Sequence, residues 1–307
     1  MSTILTLSTA RRLHATATRL NAPLIIGGLM VLTIVISAVS APLLAPYDPL
    51  DTIIRFDGPR IAVPPYPPGT PGMPLGSDML GRDMLSRLIY GSRFTLLFCG
   101  VAALARVTIG ALLGMLAGWD RRASRVVDVL VGAWSAIPSL LFAMIPIALV
   151  NRSGNLAASV ITFVIMLSLT GWAETAVRCR VAVQSLRAAP FVESAFVIGL
   201  GRMAVLWRHV LPNIRDLLLI EASYAMAAVL LLIAELSFLN LPVGGTPLEA
   251  IGTRIIAQDP IYAEWGGMLA RGLRARSSGL WLLLEPVIAF TLSILAFNLL
   301  AEGLRRR

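Results

Sequence analysis

The sequence predicts an all-α integral membrane protein with six transmembrane helices. Hydrophobic residues make up 57% of the 307-residue chain and charged residues only 14%, against roughly 25% in an ordinary soluble domain. So little charge cannot cover the surface of a soluble globule of this size. Six bilayer-spanning helices need about 120 apolar residues, and the chain supplies these with residues left for loops. A soluble single-domain protein is therefore excluded.

The first predicted membrane helix covers residues 23–46, an uncharged stretch after an N-terminal segment at 1–22. It is too long for the hydrophobic region of a signal peptide and has no convincing small-x-small cleavage site, so we expect it to remain in the mature protein. An extracytoplasmic loop is predicted at 47–93, because its prolines fix φ and remove backbone donors. The end of this loop, around residues 79–90, has the pattern of a short amphipathic helix.

Residues 94–301 are predicted to form a core that holds the other five membrane helices. These helices are expected at 94–119, 126–150, 155–177, 214–240 and 280–301. A polar stretch at 178–213 and a Gly- and Pro-containing loop at 241–279 separate them, and a tail follows at 302–307. Pro138 and Pro146 fall inside the third helix and predict a kink there.

The basic residues predict the orientation of the chain. All 26 are arginines, and fifteen of them lie in the segments at 1–22, 120–125, 178–215 and 302–307. Because basic residues near helix ends favour the cytoplasmic side, both termini and the stretch at 178–213 are predicted to be cytoplasmic. The loops at 47–93 and 241–279 are then extracytoplasmic.

The composition also excludes several kinds of chemistry. Without lysine, the chain has neither a phosphate-binding loop of the P-loop type nor a Schiff-base nucleophile. Two histidines cannot supply a zinc site with several imidazoles. The low aromatic content, 7%, supports no stacking platform for nucleic acid. An intramembrane protease would need a G-x-S-x-G or H-E-x-x-H pattern at membrane depth, and neither occurs.

The stretch at 178–213 is predicted to form a helix, a tight turn and a second helix. Gly199 and Gly201 permit the turn, and Pro212 ends the second arm before the next span. One apolar face of the first arm is predicted to hold Phe191, Val192, Ala195, Phe196 and Ile198. The periodicity leaves two interpretations open, a docking element for a cytoplasmic partner and a solvated connector.

The sequence of this stretch resembles the EAA loop of permease subunits in binding-protein-dependent ABC importers. Residues 193–195 read ESA, and Gly199 and the pair Leu211 and Pro212 follow at the spacing of that pattern. Two positions depart from it: Ser194 stands where the pattern has alanine, and His209 where it often has isoleucine.

Three further motifs are similar to those of the C-type permease in the dipeptide/oligopeptide/nickel branch of this family. They read LGSDMLGRDMLSRLIYGSR at 75–93, ELSFL at 235–239 followed by WGGMLA at 265–270, and LAFNLLAEGLR at 295–305. The resemblance thus runs from about residue 75 to the end of the chain, and the first helix fits in position.

The resemblance implies a type I ABC importer (MetI-like) permease fold in a prokaryotic inner membrane. It implies four partners: a homologous B-type permease, ATPase subunits as one fused chain or two, an extracytoplasmic substrate-binding protein, and membrane lipid, with no nucleic acid. The chain would not be an enzyme and would hold no cofactor or metal, because ATP and Mg²⁺ would bind the partner ATPase. It would form half of the translocation pathway for di- or oligopeptides. Two alternatives stay open: the same architecture for nickel or another small solute, and a stand-alone secondary transporter.

Three groups of candidate site residues follow. The residues predicted to couple to the ATPase are Phe191, Glu193, Ser194, Ala195, Gly199, His209, Leu211 and Pro212. The charged residues predicted to contact the binding protein or the partner permease are Asp78, Arg82, Asp83, Arg87 and Arg93. The residues predicted to line the pathway or to be polar within the membrane are Arg106, Pro138, Glu221, Glu235 and Glu285.

Two of these residues carry detailed expectations. A charge at the depth of Arg106 costs about 3 kcal/mol unless it meets a partner or water. Arg106 is therefore expected to face protein or a water-filled path and never lipid, with Glu221 or Glu235 as a candidate partner. Gly199 is expected at the bend of the loop, where any side chain would push the two arms apart.

Overall fold

The computed structural model describes residues 21–57, 59–152, 155–244, 248–251, 254–257 and 263–307. Nearly all of the predicted N-terminal segment at 1–22 and part of the loop at 241–279 lie outside these ranges. The α-helices are α1 (Ala22–Val39), α2 (Ala41–Leu44), α3 (Met84–Trp119), α4 (Arg121–Ser135), α5 (Ser139–Asn151), α6 (Leu156–Leu169), α7 (Trp172–Arg187), α8 (Pro190–Val197), α9 (Arg202–Val205), α10 (Leu211–Asn213), α11 (Arg215–Phe238), α12 (Trp265–Arg274) and α13 (Trp281–Arg305). A π-helical turn, Leu206–Val210, joins α9 to α10.

The mostly helical architecture confirms the predicted fold class. Within the described residues, five helical segments are long and apolar enough to cross a membrane, and a bent pair of helices brings the total to six if it forms one span. Two short antiparallel hairpins were not predicted: β1 (Phe56–Asp57) with β2 (Arg60–Ile61), and β3 (Leu248–Ile251) with β4 (Arg254–Ala257). In their registers Phe56 pairs with Ile61 and Leu248 with Ala257.

Helix α3 is longer than predicted. It starts at Met84, where the Asp83 carboxylate caps it by accepting from the backbone N–H of Ser86, and it continues for 36 residues to Trp119. The separate amphipathic helix expected around 79–90 is therefore wrong: residues 79–83 lie before the helix, and 84–90 are its first two turns. No proline lies between Met84 and Trp119, so the polar start of the helix continues without a break into its apolar span.

The third predicted span is broken into two helices. Helices α4 and α5 meet at an angle of 71° across residues 136–138. Pro138 sits at the N-cap of α5, where its missing N–H costs no intrahelical hydrogen bond. The predicted kink is thus a complete break at Pro138, whereas Pro146 lies inside α5.

The fourth span extends further than predicted. Gly171, with φ of +79°, separates α6 from α7, and α7 then runs to Arg187. The first ten residues of the predicted coupling loop, 178–187, are therefore helical and continue the span. The sixth helix likewise reaches Arg305, so most of the predicted tail at 302–307 is helix.

Small residues allow the closest helix contacts. Gly110, Gly114 and Gly118 on one side of α3 face α7, and a Cβ at these positions would lie 2.5–2.7 Å from atoms of Thr175, Ala176 and Val183 in turn. Successive glycines meet successive turns of α7, so α3 and α7 run in the same direction. Such small-residue stripes let membrane helices approach to backbone contact.

Candidate translocation pathway and coupling loop

A cavity of about 730 Å³ opens within the helical bundle. Its wall is formed by α3, the break between α4 and α5, the junction of α6 and α7, α11 and α13. Four of the five residues predicted for the pathway line it: Arg106, Pro138, Glu221 and Glu235. On α11 the lining residues include Glu221, Tyr224, Ala228, Leu231 and Glu235, which recur every three or four positions and so share one helix face.

Arg106 is buried, with 4% of its surface exposed. Its Nε donates to the carbonyl oxygen of Leu167 at 2.6 Å, and its Nη2 donates to the hydroxyl of Thr170. These acceptors lie at the C-terminal end of α6, where carbonyls lack intrahelical partners and a cation is favoured. Arg106 thus faces protein. The expected carboxylate partner is wrong, since neither Glu221 nor Glu235 pairs with it among the described contacts.

Glu221 is buried and bound from α7 instead. Arg178 Nε lies 2.5 Å from Glu221 Oε1, and the hydroxyl of Thr175 donates to Oε2 at 3.1 Å. Arg178 also lies 3.5 Å from Glu174, which is largely exposed. The charge of Glu221 is therefore compensated within the subunit.

Glu235 and Glu285 differ from Glu221. Glu235 is half-buried, and within the described residues its carboxylate has neither an ion pair nor a hydrogen bond. Glu285 lies on α13 outside the residues that line the cavity. Its Oε2 is buried without a partner in the described part of the chain. Glu285 thus lies outside this lining, and its position as a polar group within the membrane stays a prediction.

The predicted coupling loop forms a compact hook, defined here as residues 190–213. Its inner side packs Val192, Ala195, Val205 and Val210 against residues of α3 and α7 that include Met115, Trp119 and Val183. Ala195 is only 3% exposed, so its part in the predicted coupling is to pack the hook against these helices. The single apolar face expected for the first arm is wrong, because Val192 and Ala195 point inward whereas Phe191, Phe196 and Ile198 point outward.

The outer side of the hook exposes large apolar side chains. Val197 is 87% and Ile198 76% exposed, and Met203 and Trp207 are also exposed. Glu193 and Ser194 lie on the same outer side of α8. Neither Val197 nor Met203 was among the residues predicted for this surface. Both could have been found from the sequence, because they are large apolar residues in a polar stretch and do not fall on the helix face of the buried positions.

Gly199 ends α8 in the left-handed conformation, with φ of +85°. Leu200 N–H donates to Ala195 O at 3.1 Å and Gly199 N–H to Phe196 O at 2.9 Å, which is the Schellman pattern of helix ends. A Cβ at Gly199 would meet nothing within 4 Å. The expectation that a side chain would push the arms apart is therefore wrong, and glycine is needed here for its backbone angle.

Pro212 shapes the second arm of the hook. It has no N–H to continue the α-helical pattern, and Leu211 N–H instead reaches back to Leu206 O, closing the π-helical turn. His209 is half-buried in this turn, and its carbonyl accepts a hydrogen bond from the Asn213 side chain at 2.5 Å. Leu211 is half-buried at the side of the inner cluster.

The charged block before α3 is largely internal. Asp83 and Arg82 are buried, and Arg87 is 1% exposed. Arg82 binds Asp78 at 2.6 Å, and Arg87 Nη1 donates to the carbonyl of Pro49 at 3.0 Å. The predicted direct contact of Arg82, Asp83 and Arg87 with a binding protein or partner permease is therefore wrong.

Two other residues of this block are accessible. Asp78 is half-buried and Arg93 is exposed, so both stay candidates for such a contact. Arg93 lies beside the ring of Tyr90, with its guanidinium carbon 5.9 Å from the ring centre.

Glu264 belongs to the same internal region and was not predicted. It is fully buried and caps α12, accepting from the backbone N–H groups of Gly266 at 2.7 Å and of Gly267. Burial raises the pKa of Glu264 to about 7, against the opposing effects of Arg271 and of the two backbone donors. Among the described residues, no group of three or more His, Cys, Asp or Glu side chains could hold a metal ion.

Comparison with known proteins identifies the family. Residues 108–307 match the family model described as "Binding-protein-dependent transport system inner membrane component". The chain is 32% identical over 284 residues to the di/tripeptide transport system permease protein of Pseudomonas aeruginosa, covering 91% of this chain and 86% of that one. It is 31% identical over 287 residues to the dipeptide transport system permease protein of Escherichia coli, covering 93% and 88% of the two chains. The chain therefore belongs to the inner membrane components of binding-protein-dependent transport systems, as a C-type permease of the ABC importers.

Proposed function

We propose that this permease forms half of the pathway for short peptides, which an extracytoplasmic binding protein delivers and which partner ATPase subunits drive inward. The observation that carries the proposal is the connection between the cavity and the hook. Helix α7 enters the hook and α11 leaves it, and both helices line the cavity. A displacement of the hook is therefore transmitted directly to the cavity wall.

The names of the relatives support the choice of peptide as the substrate. Proteins of similar length from Pseudomonas aeruginosa and Escherichia coli are named as di/tripeptide and dipeptide permeases. The cavity carries charges of both signs together with apolar walls, which suits a solute with charged ends and variable side chains.

The outer side of the hook supports docking of an ATPase subunit. Large apolar residues exposed together on a soluble surface mark an interaction site, and Val197, Ile198, Met203 and Trp207 are all exposed there. The hook is fixed to α3 and α7 by its buried inner side, so force applied to the outer side moves the helices. ATP and Mg²⁺ are assigned to that partner, because the chain has no lysine to build a P-loop.

The arginine distribution supports an orientation with the hook and both termini in the cytoplasm. The internal charged block before α3 and the cap at Glu264 then lie on the extracytoplasmic side. A homologous B-type permease is expected to close the pathway opposite the cavity of this chain.

The test is purification and reconstitution of the full complex with its binding protein. The Val197→Asp variant should insert into the membrane and retain the partner permease. The amount of ATPase that co-purifies with it in mild detergent should fall at least tenfold, and peptide uptake should be lost as a result. Val63→Asp is the matched control, because Val63 is equally exposed in the loop on the other side. If Val197→Asp retains the ATPase at the wild-type level, the docking role of the hook is refuted. If the wild-type complex takes up metal chelates but no peptide, the assignment of peptide as the substrate is refuted.

A further inference from the structure

We propose that the cavity binds a zwitterionic solute by its two ends, with a cationic group at Glu235 and an anionic group at Arg106. The ligand class is a short peptide with free amino and carboxyl termini. This inference rests on the proposed function of the cavity as the pathway, and it assigns the two residues that recognise the termini.

The pairing of the charges around the cavity selects these two residues. Five charged side chains line it: Arg106, Glu174, Arg178, Glu221 and Glu235. Arg178 is bound to Glu221 and lies near Glu174, so each of these three residues has an ionic partner. Within the described residues, Arg106 and Glu235 are the charges on this wall without an ionic partner.

The guanidinium of Arg106 is fixed in an orientation that suits binding of an anion. Two of its nitrogens, Nε and Nη2, are fixed by Leu167 and Thr170. Nη1 has no hydrogen-bond partner among the described residues, and it lies against Gly171, where a Cβ would approach it to 3.0 Å. Because the guanidinium is already immobile, binding a carboxylate costs little side-chain entropy.

Glu235 lies on the same wall, further from the hook. The hook end of the cavity is marked by Glu221 of α11, which is hydrogen-bonded to Thr175, and Thr175 also contacts Gly110 of α3. A helix rises 1.5 Å per residue. Arg106 is four residues from Gly110 along α3, which is about 6 Å, and Glu235 is fourteen residues from Glu221 along α11, which is about 21 Å. The two charges are thus separated by about 15 Å along the bundle.

This separation corresponds to a short peptide. Each side chain spans about 4–6 Å at bond lengths near 1.5 Å, and an extended peptide spans about 3.3–3.6 Å per residue. The guanidinium of Arg106 is fixed beside Leu167 and Thr170, so only the reach of the Glu235 side chain is subtracted. About 9–11 Å then remains, the length of about three residues. Between the two charges the wall is mainly apolar, with Ala228, Leu231 and Leu232 of α11, and low polarity strengthens the attraction at each end.

The experiment compares uptake of three probes by the reconstituted complex: trialanine, N-acetyl-trialanine and trialanine amide. Glu235→Gln should reduce the preference for trialanine over the N-acetyl probe at least tenfold, and leave the preference over the amide unchanged. Arg106→Lys, chosen to keep the charge in a buried position, should reduce only the preference over the amide. Glu174→Gln is the matched control on the same cavity, and both preferences should stay within twofold of wild type.

Because every complex receives the same binding protein, a change in preference between variants reports on the permease. If the wild-type complex takes up trialanine and Glu235→Gln keeps both preferences within twofold, the inference is overturned while the peptide function stands. If the wild-type complex takes up none of the three probes, the proposed peptide function fails and the inference fails with it.

Discussion

Arg178 and Glu221 join the helix that enters the hook to the helix that leaves it. Arg178 Nε lies 2.5 Å from Glu221 Oε1, and the glutamate is buried while the arginine is partly exposed. Their bond closes a ring of chain that runs from α7 through the hook and back along α11. The two helices must therefore move together as long as this ion pair holds.

A double-mutant cycle at this pair should give a coupling free energy of about 1.5–3 kcal/mol, because the hydrogen bond is charge-assisted and one partner is buried. The variants are Glu221→Gln, Arg178→Gln and the double change, and the measurement is the free energy of unfolding in detergent with SDS. The control cycle uses Arg178 with Glu174, an exposed pair at 3.5 Å, and should give about 0.5 kcal/mol or less. Equal coupling in the two cycles would contradict the assignment.

Gly199→Ala should destabilise the end of α8 by about 1–2 kcal/mol, the cost of left-handed backbone for a residue with a Cβ. Gly199→Asn should cost less, since asparagine tolerates that conformation. Gly201 is the control, because its φ is −70° and a Cβ there also meets nothing within 4 Å. The rate of proteolysis at the hook measures the effect, and an unchanged rate for Gly199→Ala would contradict the backbone explanation.

Gly27→Val should separate α1 from α13. A Cβ at Gly27 would lie 2.4 Å from the backbone nitrogen of Leu300, whereas a Cβ at the neighbouring Gly28 meets nothing within 4 Å. Overpacking of this kind costs about 1–3 kcal/mol or more, so the thermal stability of the purified protein should fall for Gly27→Val and stay near wild type for Gly28→Val. Equal stability of the two variants would show that α1 is not closely packed.

Asp83→Ala should impair folding rather than docking. Asp83 is buried and accepts hydrogen bonds from Ser86 N at 2.7 Å and from the Ser86 hydroxyl at 2.6 Å. Loss of this cap should cost about 1–3 kcal/mol. Arg93→Glu, at an exposed position, should leave the unfolding free energy within 0.5 kcal/mol or so of wild type and weaken binding of the binding protein. A stable Asp83→Ala subunit that binds poorly would reverse this interpretation.

The cap of α12 should make stability depend on pH. Burial raises the pKa of Glu264 from 4.5 to about 7, so between these values the folded protein holds a proton that the unfolded chain releases. Stability should therefore fall as pH rises from about 4.5 to 7 and level off above. Thermal unfolding between pH 5 and 8 measures this, and Glu264→Gln should flatten the slope. A wild-type stability that rises across this window would contradict the shift.

The membrane segments and the hook could be predicted because each is determined by residues within its own short stretch of sequence. Apolar length defines α1, α11 and α13, and the glycines and Pro212 define the bends of the hook. The orientation of side chains within these elements could not be predicted from the same pattern. Val192 and Ile198 look alike in sequence, and only packing against Trp119 of α3 separates the buried residue from the exposed one.

The positions of the charged side chains could not be predicted either. Alternating acidic and basic residues before α3 suit an exposed interface and an internal network equally well. Arg87 lies beside chain from distant positions: its Nη1 donates to the carbonyl of Pro49 at 3.0 Å, and it lines a small pocket together with Met268 of α12. The partner of Arg106 was missed for a related reason. Its acceptors are a backbone carbonyl and a threonine hydroxyl, and an uncharged acceptor cannot be recognised from sequence as the partner of a cation.

The continuous course of α3 has a mechanical consequence. Its 36 residues extend about 54 Å at 1.5 Å per residue, well beyond the roughly 30 Å of the hydrocarbon core. One end begins in the charged block beside Glu264, and the other packs against the hook through Met115 and Trp119. A rigid tilt of about 5° around Arg106 would shift the first residue of the helix by about 3 Å and the last by about 2 Å, in opposite directions. In the proposed importer, a binding protein that docks at the first end of α3 and an ATPase subunit that docks at the hook would therefore act on the same rigid helix.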